Sequence, residues 1–205
     1  MSNFDIIIPL GNSCNITFLL QNCKLKKYTT LFEWFITKNI HNITNVLLKI
    51  INNNDHDIIK VFNNHIYIED NNIFSGHYTL DEFIPIYKRR RDRLLECIKN
   101  NNNILFVRFD YDNEINNKDI DDFQNAIKNI NININNMKLL IISNNDLKLI
   151  HPFLINEIYD STDNDPYCKE EKINTFFLNT LQKVGYNINN VSDISFTINS
   201  DKSII

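Results

Sequence analysis

The sequence predicts an α/β fold: one domain over residues 1–205, with helices covering a mainly parallel sheet. Three observations carry this. Ile104-Leu105-Phe106-Val107 and Lys138-Leu139-Leu140-Ile141-Ile142-Ser143 are continuous apolar runs, the pattern of strands buried on both faces. Between them Ile120, Phe123, Ile127 and Ile130 recur at helical spacing over residues 119–130, so strand, helix and strand form a crossover between parallel strands. An earlier apolar run, Ile6-Ile7-Ile8, ends at Pro9 and Gly11 and leads straight into a further helical segment.

In chain order, Ile6 to Ile8 read as a short buried strand, followed by a turn. Asn12 or Ser13 is then placed to cap a helix that begins near Cys14 and runs through Phe18-Leu19-Leu20. Cys14 thereby falls in the first helical turn, where unpaired N–H groups and the helix dipole favour a thiolate. The opposite reading is a cysteine that only packs a strand against a helix. Lys24-Leu25-Lys26-Lys27 closes that helix. In Thr30-Leu31-Phe32-Glu33-Trp34-Phe35-Ile36 a carboxylate is set among aromatics beside the only Trp; Glu33 there needs a partner, a perturbed pKa or solvent.

Thr37 is expected to cap a helix whose apolar face is Ile40, Ile43, Val46, Leu47, Ile50 and Ile51. His65 to Glu69 alternates as a strand, with Ile73-Phe74-Ser75 as its hairpin partner. A helix over Leu80 to Lys99 follows, with Asp81 and Glu82 favouring its start and Pro85 expected in its opening turn. Within it, Lys88-Arg89-Arg90-Arg91-Asp92-Arg93 reads either as a solvated face or as a patch for phosphate or carboxylate; Arg91 is singled out as continuing the apolar side. Ile155 to Tyr159 reads as a strand, Lys169 to Val184 as a last helix closed by Gly185, and Ile194 to Ile198 as an edge strand. Ligands of such sheets sit beyond the carboxyl ends of the strands. Asn12-Ser13-Cys14, Arg108 with Asp110, and Ser143-Asn144-Asn145 stand at three such ends and share a crevice if those strands are neighbours.

Composition excludes several classes. The net charge of −4 gives no field calling for nucleic acid or an acidic membrane. No apolar run approaches the ~20 residues of a membrane span. The N-terminus lacks the basic and apolar regions of a signal peptide, which predicts a cytoplasmic location. Cys14, Cys23, Cys97 and Cys168 include no CxxC pair, and no Cys or His residues stand at zinc-finger spacing, so neither a disulfide framework nor a metal site is expected, and no cofactor is implied. Asparagine, about one residue in six, reflects compositional bias of an AT-rich genome rather than structure.

Five pieces occur in a characteristic order: Ile8-Pro9-Leu10-Gly11-Asn12-Ser13-Cys14, Leu31-Phe32-Glu33-Trp34, Gly76-His77-Tyr78, Tyr87-Lys88-Arg89-Arg90-Arg91-Asp92-Arg93-Leu94 and Ile104-Leu105-Phe106-Val107-Arg108. Together, over roughly residues 5 to 145, they resemble an uncharacterised family described as papain-like cysteine peptidases, with members in bacteria and large DNA viruses. The chain departs from the family in carrying Glu33 where an Asp is usual and Tyr78 where an acidic residue tends to follow the histidine. The resemblance implies Cys14 as nucleophile, His77 as base, and an orienting third group among Glu33, Asp81 and Asp110. Asn12, Ser13, Trp34, Arg91 and Arg108 complete the candidate site as substrate-binding residues. It also raises a papain-like α+β fold as an alternative architecture.

Three functions follow as expectations. The first is a thiol-dependent hydrolase or transferase acting on an amide or ester of a peptide or small molecule. The second is a phosphate-ligand protein, such as a nucleotide-sugar or phosphosugar transferase, using Arg108 and the basic run; no P-loop or GxGxxG accompanies it. The third is a non-catalytic virus–host interaction module in the host cytoplasm or virion.

Overall fold

The computed structural model describes residues 4–12, 14–53, 58–62, 65–68, 73–75, 78–110, 115–159 and 171–188. In chain order the elements are β1 (Ile6–Pro9), α1 (Asn15–Asn22), β2 (Ile36–Thr37), α2 (Ile40–Ile51), β3 (Ile59–Phe62), β4 (His65–Ile68), β5 (Ile73–Ser75), α3 (Leu80–Asn100), β6 (Asn103–Asp110), α4 (Asn117–Ile130), β7 (Asn136–Ser143), β8 (Leu154–Ile158) and α5 (Glu171–Lys183).

The main sheet has the order β1-β6-β7-β8, and every neighbouring pair is parallel. The α/β class therefore holds, and the papain-like α+β alternative does not. Alternation along these strands supplies both faces of the sheet. Ile6, Ile8, Ile104, Phe106, Leu139 and Ile141 face a core shared with α2, α3 and α4. Leu105, Val107, Phe109, Leu140 and Ile142 face a second core shared with α1 and α5. Because both faces are covered, β6 and β7 are apolar almost throughout, and each fully buried Leu, Ile or Phe stabilises the fold by about 1.5–3 kcal/mol.

A second, antiparallel sheet of order β2-β5-β4-β3 is inserted between β1 and α3. The expected pairing of β4 with β5 is present, and β3 and β2 extend it on either side. Thr37 is not a helix cap. It lies in β2, and Asn39 caps α2 by accepting from Asn42 N at 3.1 Å. α3 starts as expected, with a capping box between Thr79 and Glu82. Pro85 lies one turn deeper than expected, inside the helix, where its missing N–H leaves one carbonyl of the preceding turn undonated. The region expected to form an edge strand, residues 194–198, lies outside the described residues.

Candidate functional site

The loop between β1 and α1 is built by close backbone approach. Leu10 N donates to Val107 O at 2.8 Å, continuing the β1–β6 ladder. Gly11 follows with φ +25°, and a Cβ there would lie 2.6 Å from Phe32 O and 2.9 Å from Phe35 O, so only glycine fits. Asn12 is 9% exposed, and its Nδ2 is buried without a hydrogen-bond partner. Ser13 lies outside the described residues. Cys14 then occupies the N-cap position of α1, and its carbonyl accepts from Phe18 N at 3.1 Å.

The helix thus begins where expected, but neither Asn12 nor Ser13 is its cap: Cys14 holds that position and makes no capping bond through its side chain. The expected thiolate is also corrected. The side chain is half-buried, and this burial pushes the thiol up from its usual 9.0, outweighing the opposing pull of its own backbone N–H. Cys23 is pushed up further, to about 11, by burial alone.

Arg108 does not present itself to a ligand. Its side chain is fully buried on the α2–α3–α4 face of β6. Nη1 donates to Leu10 O (3.1 Å), Gly11 O (2.7 Å) and Thr37 Oγ1 (2.5 Å), and Nη2 to Thr37 O (2.9 Å) and Lys38 O (3.0 Å). The guanidinium therefore clamps the β1–α1 loop to β2 and joins the two sheets. Asp110, buried, ends the same strand, in register with Ser143 of β7. Ser143 Oγ lies 2.6 Å from Asn145 O and 3.0 Å from Asn156 Oδ1, two acceptors that share its single hydrogen. The carboxyl ends of β1, β6 and β7 are neighbours, so the shared edge that the sequence made conditional on strand order does form.

Glu33 is fully buried and already committed. Oε1 accepts from Thr30 N (2.6 Å) and Thr30 Oγ1 (3.3 Å), and Oε2 pairs with Lys26 Nζ at 2.8 Å. Its backbone carbonyl accepts from Thr17 Oγ1 at 3.0 Å, which ties this loop to α1. Burial pushes the carboxyl up, against the lowering effects of Lys26, Thr30 and Arg90. Thr30 and Lys26 thus hold the Glu33 carboxyl to its own loop and to the segment that follows α1. Trp34 serves the same contact: its ring meets Phe18 edge-on at 5.5 Å and carries Lys26 Nζ 5.4 Å from its centroid.

In the basic run the structure favours a different arginine. Arg91 is partly exposed and pairs with its neighbour Asp92 at 2.8 Å, whereas Arg90 is buried at 5% exposure. Arg90 Nη2 donates to the Tyr78 hydroxyl at 3.2 Å. The spacing held the signal: Arg90 lies seven residues after Phe83, three after Tyr87 and four before Leu94, all buried in α3. Asp81 is exposed in the first turn of α3. His77 lies outside the described residues.

Among the described residues no group of three or more His, Cys, Asp or Glu could hold a metal. No helix among them is long and apolar enough to cross a membrane. A pocket of about 10 Å³, room for about one water, lies beside β1 and the end of α1, lined by Leu20, Lys26, Thr30, Glu33 and Tyr186 among others. No family model, curated protein or solved structure matches the chain.

Proposed function

We propose that this chain is a thiol-dependent hydrolase or transferase acting on an amide or ester, with Cys14 as nucleophile and His77 as base. The observation that carries the reading is the position of Cys14. It is half-buried, directly beyond β1 at the start of α1, on the sheet edge where β6 ends in Asp110. Ligands of parallel sheets bind at that edge.

Because burial holds the proton on the resting thiol, His77 removes it as sulfur attacks the carbonyl. The tetrahedral oxyanion is met by N–H groups at the start of α1 and by the unspent Asn12 amide. Collapse forms a thioester and expels the amine or alcohol, which takes its proton from the imidazole. Water, or a second nucleophile, then frees the acyl group. Among the three candidate carboxylates we assign Asp110 to orient the imidazole, because it ends β6 on the sheet edge where Cys14 stands. His77 rests on the resemblance, in which the histidine follows the cysteine along the chain. The papain-like resemblance is carried here for its chemistry alone, because the main sheet is parallel.

The test is site-resolved alkylation with iodoacetamide, read by mass spectrometry. Cys14 is expected to label ahead of Cys23 and Cys97, and His77→Ala to slow Cys14 at least about tenfold at pH 7.5. At pH 8 a thiol at about 11 is only about 0.1% ionised, so Cys23 serves as the slow internal reference. Cys14 labelling that ignores His77→Ala, or ester hydrolysis that survives Cys14→Ala, would refute the reading and leave the interaction module.

A further inference from the structure

The basic run of α3 contains a buried cation that the thiol chemistry does not use. Arg90 stands on the core face of α3, and only its Nη2 has a hydrogen-bond partner, the Tyr78 hydroxyl. The guanidinium carbon also lies 5.7 Å from the Tyr78 ring centroid, so the tyrosine holds the group by both face and hydroxyl. Nε and Nη1 are buried and meet no acceptor. A guanidinium taken out of water with unspent donors is costly, and such groups are normally paired.

The nearby buried carboxylate does not discharge this debt. Glu33 acts electrostatically on Arg90, but its oxygens are bound by Lys26 and Thr30. Lys26 takes the direct ion pair with Glu33 at 2.8 Å, and Arg90 makes none with it.

We propose that Arg90, positioned by Tyr78, is the receptor for an anionic group of a small ligand, a carboxylate or a phosphate. An oxyanion supplies both what Nε and Nη1 lack: acceptor oxygens and a balancing charge. This site is independent of the reading of Cys14, and it keeps the anion-binding role read from the basic run while moving it from Arg91 to Arg90. Arg108 differs in that both of its terminal nitrogens, Nη1 and Nη2, are bound to its own chain.

The experiment measures the melting temperature of the full chain against rising inorganic phosphate, acetate and, at matched ionic strength, chloride. Wild type is expected to show a saturable rise with phosphate or acetate that chloride does not reproduce, and the more effective anion identifies the ligand's group. Arg90→Gln is expected to weaken that response at least about tenfold, whereas Arg91→Gln keeps it. No saturable response above chloride in wild type, or an unchanged midpoint in Arg90→Gln, overturns the proposal. Should Arg90→Gln fail to fold, the Arg90 Nε–H resonance in wild type decides: a shift that saturates with the anion supports the site, and an unmoved signal overturns it.

Discussion

Replacing Arg108 by Met tests whether a single guanidinium joins the two sheets. Methionine keeps the length of the stem and removes every donor. Five contacts are lost, to the carbonyls of Leu10, Gly11, Thr37 and Lys38 and to Thr37 Oγ1. At about 1.5–3 kcal/mol for each charge-assisted bond, simple addition gives roughly 7–15 kcal/mol, the whole stability of an ordinary domain. The sum overshoots, because the variant also escapes the cost of burying a cation. We expect a loss of about 3–5 kcal/mol, the range for breaking a buried charged network, which at this chain length lowers the melting temperature by roughly 6–20 °C. Urea denaturation measures it, with the slope unchanged if only the native state is affected. Arg108→Lys should recover less than half, since one ammonium cannot span both the Leu10–Gly11 and Thr37–Lys38 carbonyls. Released Gly11 also frees the loop before Cys14, so Cys14 alkylation should change in the same variant. A cost below about 1 kcal/mol with Cys14 reactivity unaltered would show that the clamp holds nothing.

Gly11→Ala should cost at least about 2 kcal/mol, because the new methyl meets two backbone carbonyls in a conformation that alanine rarely adopts; equal urea midpoints would contradict this. Glu33 should leave a mark on the pH dependence of stability. Its folded pKa lies above its ordinary 4.5, so the folded state keeps the proton to higher pH than the unfolded chain does. Its contribution is therefore greatest in acid and falls as pH rises from about 4.5 through the folded value. Glu33→Gln should lack that decline between pH 4 and 8, and a wild type that instead gains on the variant as pH rises would show that the Lys26 pair outweighs burial.

The long apolar runs declared β6 and β7, and the spacing of Phe83, Tyr87 and Leu94 declared α3, because each signal is repeated many times within its element. β2 was not legible. It is two residues long, and what makes Ile36–Thr37 a strand is a partner far along the chain at Ile73–Phe74. β3 carried a weak signal, with Lys60 and Val61 exposed on a sheet edge. Among the candidate residues, Cys14 was found where the turn and helix signals put it. Arg108 was misjudged because an arginine at a strand end looks like a ligand residue until the carbonyls of Gly11 and Thr37 are seen converging on it. Arg90 was misjudged against Arg91 by one position, about 100° on the helix, which separates the core face from its margin. The thiol's raised pKa was invisible in principle, since burial is a property of the packed chain.

The pairing of β1 with β6 joins Ile6 to Ile104, 98 residues apart in the chain, whereas β6 reaches β7 across only 33, from Asn103 to Asn136. At ribosomal speeds of about 5–20 residues per second, Ile6-Ile7-Ile8 waits roughly 5–20 s for its mate to be synthesised. During that interval this apolar tripeptide has no β6 to pair with. The strand that leads into Cys14 therefore needs shelter until then, and the segment that carries this cysteine acquires its final surroundings only after β6 is made.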